Sequence, residues 1–182
     1  ELTRSFPPEK ALQTQYTYEG KSYGTHDAIG AGIYLRHVWG PLVPGAYKDP
    51  QPNHTAYAWT WIYSPKAQEV GTWIEFQNYS RSEMDLPPMQ GKWDYKESRI
   101  WVNDQEITPP VWTATHREKS NEIPLGNENC VGRKPTPIHL EKGWNKVLMK
   151  LPVGTFNTPK VRLVKWMFTF VCVTPDGEIA VE

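Results

Sequence analysis

Every second residue between positions 57 and 63 is aromatic: Tyr57, Trp59, Trp61 and Tyr63 fall on one face of an extended chain, and Ala56, Ala58, Thr60 and Ile62 on the other. A period of two predicts a β-strand. Large aromatics dominate sheet interiors, so the aromatic face is expected to point inward. Trp101, Trp112, Trp144 and Trp166 sit in or beside other strand-like runs and are read the same way. The run EVGTWIEFQNYS alternates too, with Val70, Ile74 and Phe76 opposite Trp73, Glu75 and Gln77. That pattern predicts a half-buried antiparallel strand with one face wet or turned to a cleft.

Further strands are expected in GIYLRHVWG, bounded by glycines, and in RIWVNDQEITPPVW, where Asn103 and Asp104 supply a turn. PIHLEKGWNKVLMKLP predicts a hairpin through Lys142 and Gly143. RLVKWMFTFVCVTPDGEIAVE predicts a long strand, an Asp176-Gly177 turn and the start of a return strand. Two proline-rich connections, PLVPGAYKDPQPNH and RSEMDLPPMQGKWDYKES, interrupt the strands, since proline cannot donate to a central ladder. Helical periodicity and repeats of 20 to 50 residues are absent, which excludes solenoids and propellers. The fold class expected is all-β: an antiparallel β-sandwich of jelly-roll or galactose-binding-like form. Residues 1–30 are expected as an N-terminal arm or edge hairpin, and residues 31–182 as a single sandwich domain.

Composition narrows the function. The 182 residues suit one domain, and 17 Pro with 13 Gly agree with many turns. With 20 basic and 20 acidic residues the net charge is zero, so nucleic acid and acidic membrane surfaces are not expected as partners. No apolar run approaches the ~18 residues that a membrane-spanning helix needs. A chain that opens on Glu1 reads as a piece excised from a larger protein. Spacing alone leaves open whether Cys130 and Cys172 pair.

Catalysis needs a nucleophile with its base, a carboxylate pair or a metal cluster. The five histidines are scattered, without zinc-ligand spacing, and the Gly-x-Ser-x-Gly, phosphate-loop and dinucleotide fingerprints are missing. Asp49, Asp85, Asp94 and Asp104 lie where a calcium ion would find oxygen ligands, but the calcium-loop pattern is absent and turn formation explains them better. No cofactor and no catalytic residue is expected.

Nine Trp and nine Tyr are the compositional outlier. A pyranose has one face of C–H groups and a rim of hydroxyls, so it suits a flat aromatic flanked by charged or amide groups. The two proline-rich connections offer that mixture: Arg36, Trp39 and Tyr47 about the first, and Arg81, Asp85, Trp93, Asp94 and Tyr95 in the second. These eight residues are the expected carbohydrate contacts. A loop tryptophan taken singly more often plugs the end of a sandwich core, and only the clustering favours the set.

The strings GAGIYLRHVWG, KDPQPNHTAYAWTWIYSP, EFQNYSRSEMDLPPMQGKWDYKESRIWVNDQEITPPVW and GWNKVLMKLP, with RLVKWMF, resemble the accessory β-sandwich that follows the catalytic barrel in glycoside hydrolase family 20 β-N-acetylhexosaminidases of gut anaerobes. The resemblance spans residues 15 to 182. It implies a secreted, periplasmic or cell-surface parent enzyme whose catalytic Asp-Glu pair lies elsewhere, since that dipeptide does not occur here. It also implies two partners: N-acetylhexosamine-containing host glycans and the parent's own catalytic domain. Similar sandwiches accompany sialidases and other exo-glycosidases, and such a domain binds glycan, braces the barrel, or does both.

Overall fold

The computed structural model describes residues 2–36, 43, 53–77, 88–113, 133–154 and 166–178. Within them the chain forms β1 (Gln15–Tyr18), β2 (Lys21–Gly24), β3 (Gly32–Arg36), β4 (Thr55–Ser64), β5 (Gln68–Gln77), β6 (Arg99–Val102), β7 (Gln105–Glu106), β8 (Thr136–Leu140), β9 (Gly143–Pro152) and β10 (Trp166–Val173). A short 3-10 turn at Pro7–Glu9 precedes them, and no α-helix occurs among the described residues. All the pairings are antiparallel.

β1 and β2 pair only with each other in a two-stranded sheet of their own, and the other strands form two four-stranded sheets ordered β3-β10-β5-β8 and β4-β9-β6-β7. The first strand of the sandwich lies beside the last, and the second beside the next to last. That is jelly-roll wiring. The turn between β6 and β7 puts Asn103 and Asp104 in the left-handed region, at φ 49° and 67°, as a two-residue hairpin turn requires. The anticipated return strand after Gly177 falls on residues 179–182, outside the described ones, as does Cys130.

The core lies between the sheets. Leu35, Ile74, Phe76, Ile138, Leu140 and Phe168 enter it from one side, and Ala56, Ile100, Val102, Val147, Met149 and Leu151 from the other. Ala58 and Ile62 pack against the same cluster, so the small face of β4 points inward. This corrects the expectation for β4. Tyr57, Trp59, Trp61 and Tyr63 lie on the outer face of their sheet, together with Trp101 and Trp144 from its neighbours. The reason is the partner strand. On β9, Val147, Met149 and Leu151 alternate with Lys146, Leu148 and Lys150, and the register sets Trp61 opposite Lys146 and Tyr57 opposite Lys150. Turning the aromatics inward would bury Lys146 with them, at a desolvation cost of several kcal/mol, and would take the Lys150 ammonium away from the Arg4 carbonyl and Glu9 carboxylate that satisfy it.

β5 departs from expectation as well: Glu75, read as wet, is buried and ion-paired with Arg133. Trp112 and Trp166 are buried, as expected for core aromatics.

One buried amide ties two turns together. Asn145 is 0% exposed. Its Oδ1 accepts from the Glu141 amide (2.8 Å) and from Asn103 Nδ2 (2.7 Å), and its Nδ2 donates to the Glu141 (2.9 Å) and Gly143 (3.0 Å) carbonyls. Alanine here strands several buried groups, so Asn145→Ala is expected to lower unfolding free energy by about 2–3 kcal/mol. Urea denaturation measures this, and a loss below about 1 kcal/mol would mean that water replaces the amide.

Candidate functional site

Two faces of the molecule compete for the role. The sequence reading points to the proline-rich connections. Trp39, Tyr47, Arg81 and Asp85 lie outside the described residues. Arg36 ends β3 half-buried, opposite Trp166 of β10. The loop before β6 does not present its rings as expected. Trp93 is only 6% exposed, joins the core cluster, meets Phe76 edge-on at 5.7 Å and donates its indole N–H to the Ile107 carbonyl (3.2 Å). Tyr95 is half-buried, and burial pushes its phenol above the ordinary range.

Asp94 is a structural cap. Its carboxylate accepts the Lys96 and Ser98 backbone amides (2.7 and 3.1 Å) and the Ser98 hydroxyl (2.6 Å), closing a turn that folds Trp93 inward. Burial raises its pKa while those hydrogen bonds oppose the rise. Gln90 clamps the same loop to Trp112, accepting that residue's amide at 3.1 Å, and the Trp112 indole donates to the Lys92 carbonyl at 3.1 Å. Trp93 and Asp94 are therefore corrected from surface contacts to interior supports.

The second face is the exterior of β4, β9 and β6. Exposed large side chains concentrate there: Trp61 at 53%, Tyr63 at 58% and Trp144 at 67%. Trp59 and Trp101 are half-exposed and flank Leu148, which they face across the ladder. With a rise of about 3.3 Å per residue, Trp59, Trp61 and Tyr63 stand about 7 Å apart in a line along β4. Trp144 faces Tyr63 directly, ring centroids 5.4 Å apart and planes at 68°, so the line ends in a corner, one ring forming floor and the other wall. Beside Trp61, Lys146 pairs with Asp104 (2.5 Å), which places a donor and an acceptor at the edge of the aromatic row.

At the opposite end the row is covered by residues 4–9. Phe6 packs edge-on to Tyr57 at 6.4 Å, and the Tyr57 hydroxyl donates to the Glu9 carboxylate. Lys150, 2% exposed, donates to the Arg4 carbonyl (2.5 Å) and pairs with Glu9 (3.2 Å). Burial disfavours ionised Glu9, but hydrogen bonds from Ser5, Tyr57 and Lys150 and the lysine's charge outweigh it and hold the carboxyl below the ordinary range. Burial and the adjacent Glu9 push the Tyr57 phenol far up.

Among the described residues no three His, Cys, Asp or Glu side chains gather to hold a metal ion. Asp94 is committed to its turn and Asp104 to Lys146, while Asp49 and Asp85 lie outside the described residues. What the outer face presents is exposed aromatic side chains beside the Lys146–Asp104 ion pair. The signal for it was present in the sequence as the lysines of β9, but reading it required knowing that β9 pairs with β4. Comparison with protein-family models, curated proteins and solved structures finds no match.

Proposed function

We propose that this β-sandwich is a non-catalytic carbohydrate-binding domain that holds N-acetylhexosamine-containing glycans on the outer face of β4 and β9, as an accessory to a secreted glycoside hydrolase of the β-N-acetylhexosaminidase type. The observation that carries the reading is the row of exposed indole and phenol rings beside the Lys146–Asp104 pair. Burying about 60 Å² of a sugar's apolar face on one ring contributes about 1.5 kcal/mol. Several rings in line add their contributions without a deep pocket, and glycan held this way raises the substrate concentration at a tethered active site.

Calorimetric titration with a trimer of β-1,4-linked N-acetylglucosamine tests the reading. Trp61→Ala and Trp144→Ala are each expected to weaken binding about tenfold, the equivalent of about 1.4 kcal/mol. Their melting temperatures should stay within a few degrees of the unsubstituted protein, because exposed rings add little to the core. Unchanged affinity in both variants would overturn the assignment of the face.

A second reading rests on the segment 4–9, which already docks a piece of polypeptide on this same face. In it the aromatic row braces the parent's catalytic domain, as large aromatic anchors do at protein interfaces. Absence of glycan binding, with Trp61 and Trp144 protected from solvent in the complete enzyme, would favour the brace.

A further inference from the structure

The outer face of β4 carries four aromatic rings in register, of which Trp61 and Tyr63 are exposed and Trp59 and Tyr57 half-exposed. Tyr57 continues the line of Trp59, Trp61 and Tyr63, but Phe6 and Glu9 sit on it, and Lys150 directly across the ladder is sealed beneath Arg4. The covering segment is itself stapled down. The Arg4 guanidinium lies over the Phe6 and Tyr18 rings at 5.7 and 5.2 Å and reaches Glu19 at 3.1 Å, while Ser5 Oγ donates to Glu9 at 2.6 Å. The same sheet face therefore divides into a closed half and an open half, with the boundary at Trp59.

From this we infer, granting that the face binds carbohydrate, that its ligand is a linear, neutral oligosaccharide of about three linked pyranoses lying along β4, with residues 4–9 as the stop that sets this length. Three features carry the inference. The open row runs about 13 Å from Trp59 to Tyr63, too long for one pyranose. At its middle the row follows the strand, because sideways from Trp61 the next residue is Lys146 rather than another ring, and only at Tyr63 does a ring, Trp144, lie across the ladder. Its charge is balanced, since the ammonium of Lys146 is matched by Asp104, so an uncharged hydroxyl- and acetamido-bearing chain fits better than a sialylated or sulfated one. The edge-on meeting of Trp144 and Tyr63 breaks the flatness at the open end, which suits a single soluble chain and disfavours the surface of a packed polysaccharide.

The test is a length series: β-1,4-linked N-acetylglucosamine oligomers of one to five units, titrated into the full chain by calorimetry. Affinity is expected to climb at least tenfold from monomer to trimer and then level off. Phe6→Ala combined with Glu9→Gln removes the stop's two holds on Tyr57 and should move the plateau from trimer to tetramer. Trp59→Ala, at a half-exposed ring, should move it from trimer to dimer even where the double variant does not fold. A monosaccharide that binds as tightly as the trimer would overturn the linear ligand while leaving carbohydrate binding intact. A plateau unmoved by a folded double variant would overturn the role of residues 4–9. If no oligomer binds the folded protein at all, the underlying carbohydrate reading fails.

Discussion

Trp93→Ala is expected to lower the unfolding free energy by about 3–5 kcal/mol, as large-to-small substitutions of buried aromatics do. The indole lies between the sheets against Phe76, and its N–H holds the Ile107 carbonyl. Removing it leaves both a cavity and an unpaired carbonyl. Domains of this size are stable by roughly 5–15 kcal/mol, so the loss should show as a large fall in melting temperature and in the urea midpoint. Trp93→Phe, which keeps most of the volume, should recover about half of it. If Trp93→Ala unfolds like the unsubstituted protein but loses glycan affinity, the ring is a surface contact after all.

Arg133→Met is expected to cost a similar amount, about 3–5 kcal/mol, because it removes the guanidinium that is ion-paired with a buried carboxylate. Arg133 and Glu75 are each about 5% exposed. The guanidinium also donates to the Ile74 carbonyl (2.6 Å) and lies 5.8 Å from both the Trp73 and Trp112 ring centres. A wholly apolar replacement should behave differently from the single change. Arg133→Met with Glu75→Leu removes both charges at once and is expected to regain most of the loss, since buried ion pairs often contribute little beyond their own desolvation. Chemical denaturation of the two single variants and the double variant gives the coupling directly. A double variant as unstable as the sum of the singles would show that each residue acts through its separate neighbours.

The strands were largely legible in the sequence because period-two alternation and turn residues are local signals. β4, β5 and the β6–β7 turn at Asn103 and Asp104 fall where the pattern puts them, but the hairpin expected through Lys142 and Gly143 does not form: β8 pairs with β5 in one sheet and β9 with β4 and β6 in the other, so that turn crosses between the sheets. What alternation cannot supply is which face is inside. For β4 the answer came from Lys146 and Lys150, 85 or more residues away in the chain and brought alongside only by pairing. The loop before β6 failed for a different reason. A tryptophan flanked by charges, as in Lys92-Trp93-Asp94, looks like a surface group until Asp94 is seen to spend its carboxylate on the turn that folds the ring inward. Likewise Glu75 looked wet because its partner, Arg133, lies 58 residues away in the sequence. The aromatic abundance raised the expectation of a binding surface; where exposed rings fall on the sheet depends on tertiary register.

The sorting of indoles between interior and exterior turns the protein into its own optical gauge. Trp93, Trp112 and Trp166 are shielded, whereas Trp61 and Trp144 stand in solvent. A small neutral quencher such as acrylamide will therefore reach one emitting population and spare the other. Occupation of the outer face should shield the accessible population, blue-shift its emission and leave the shielded rings unchanged.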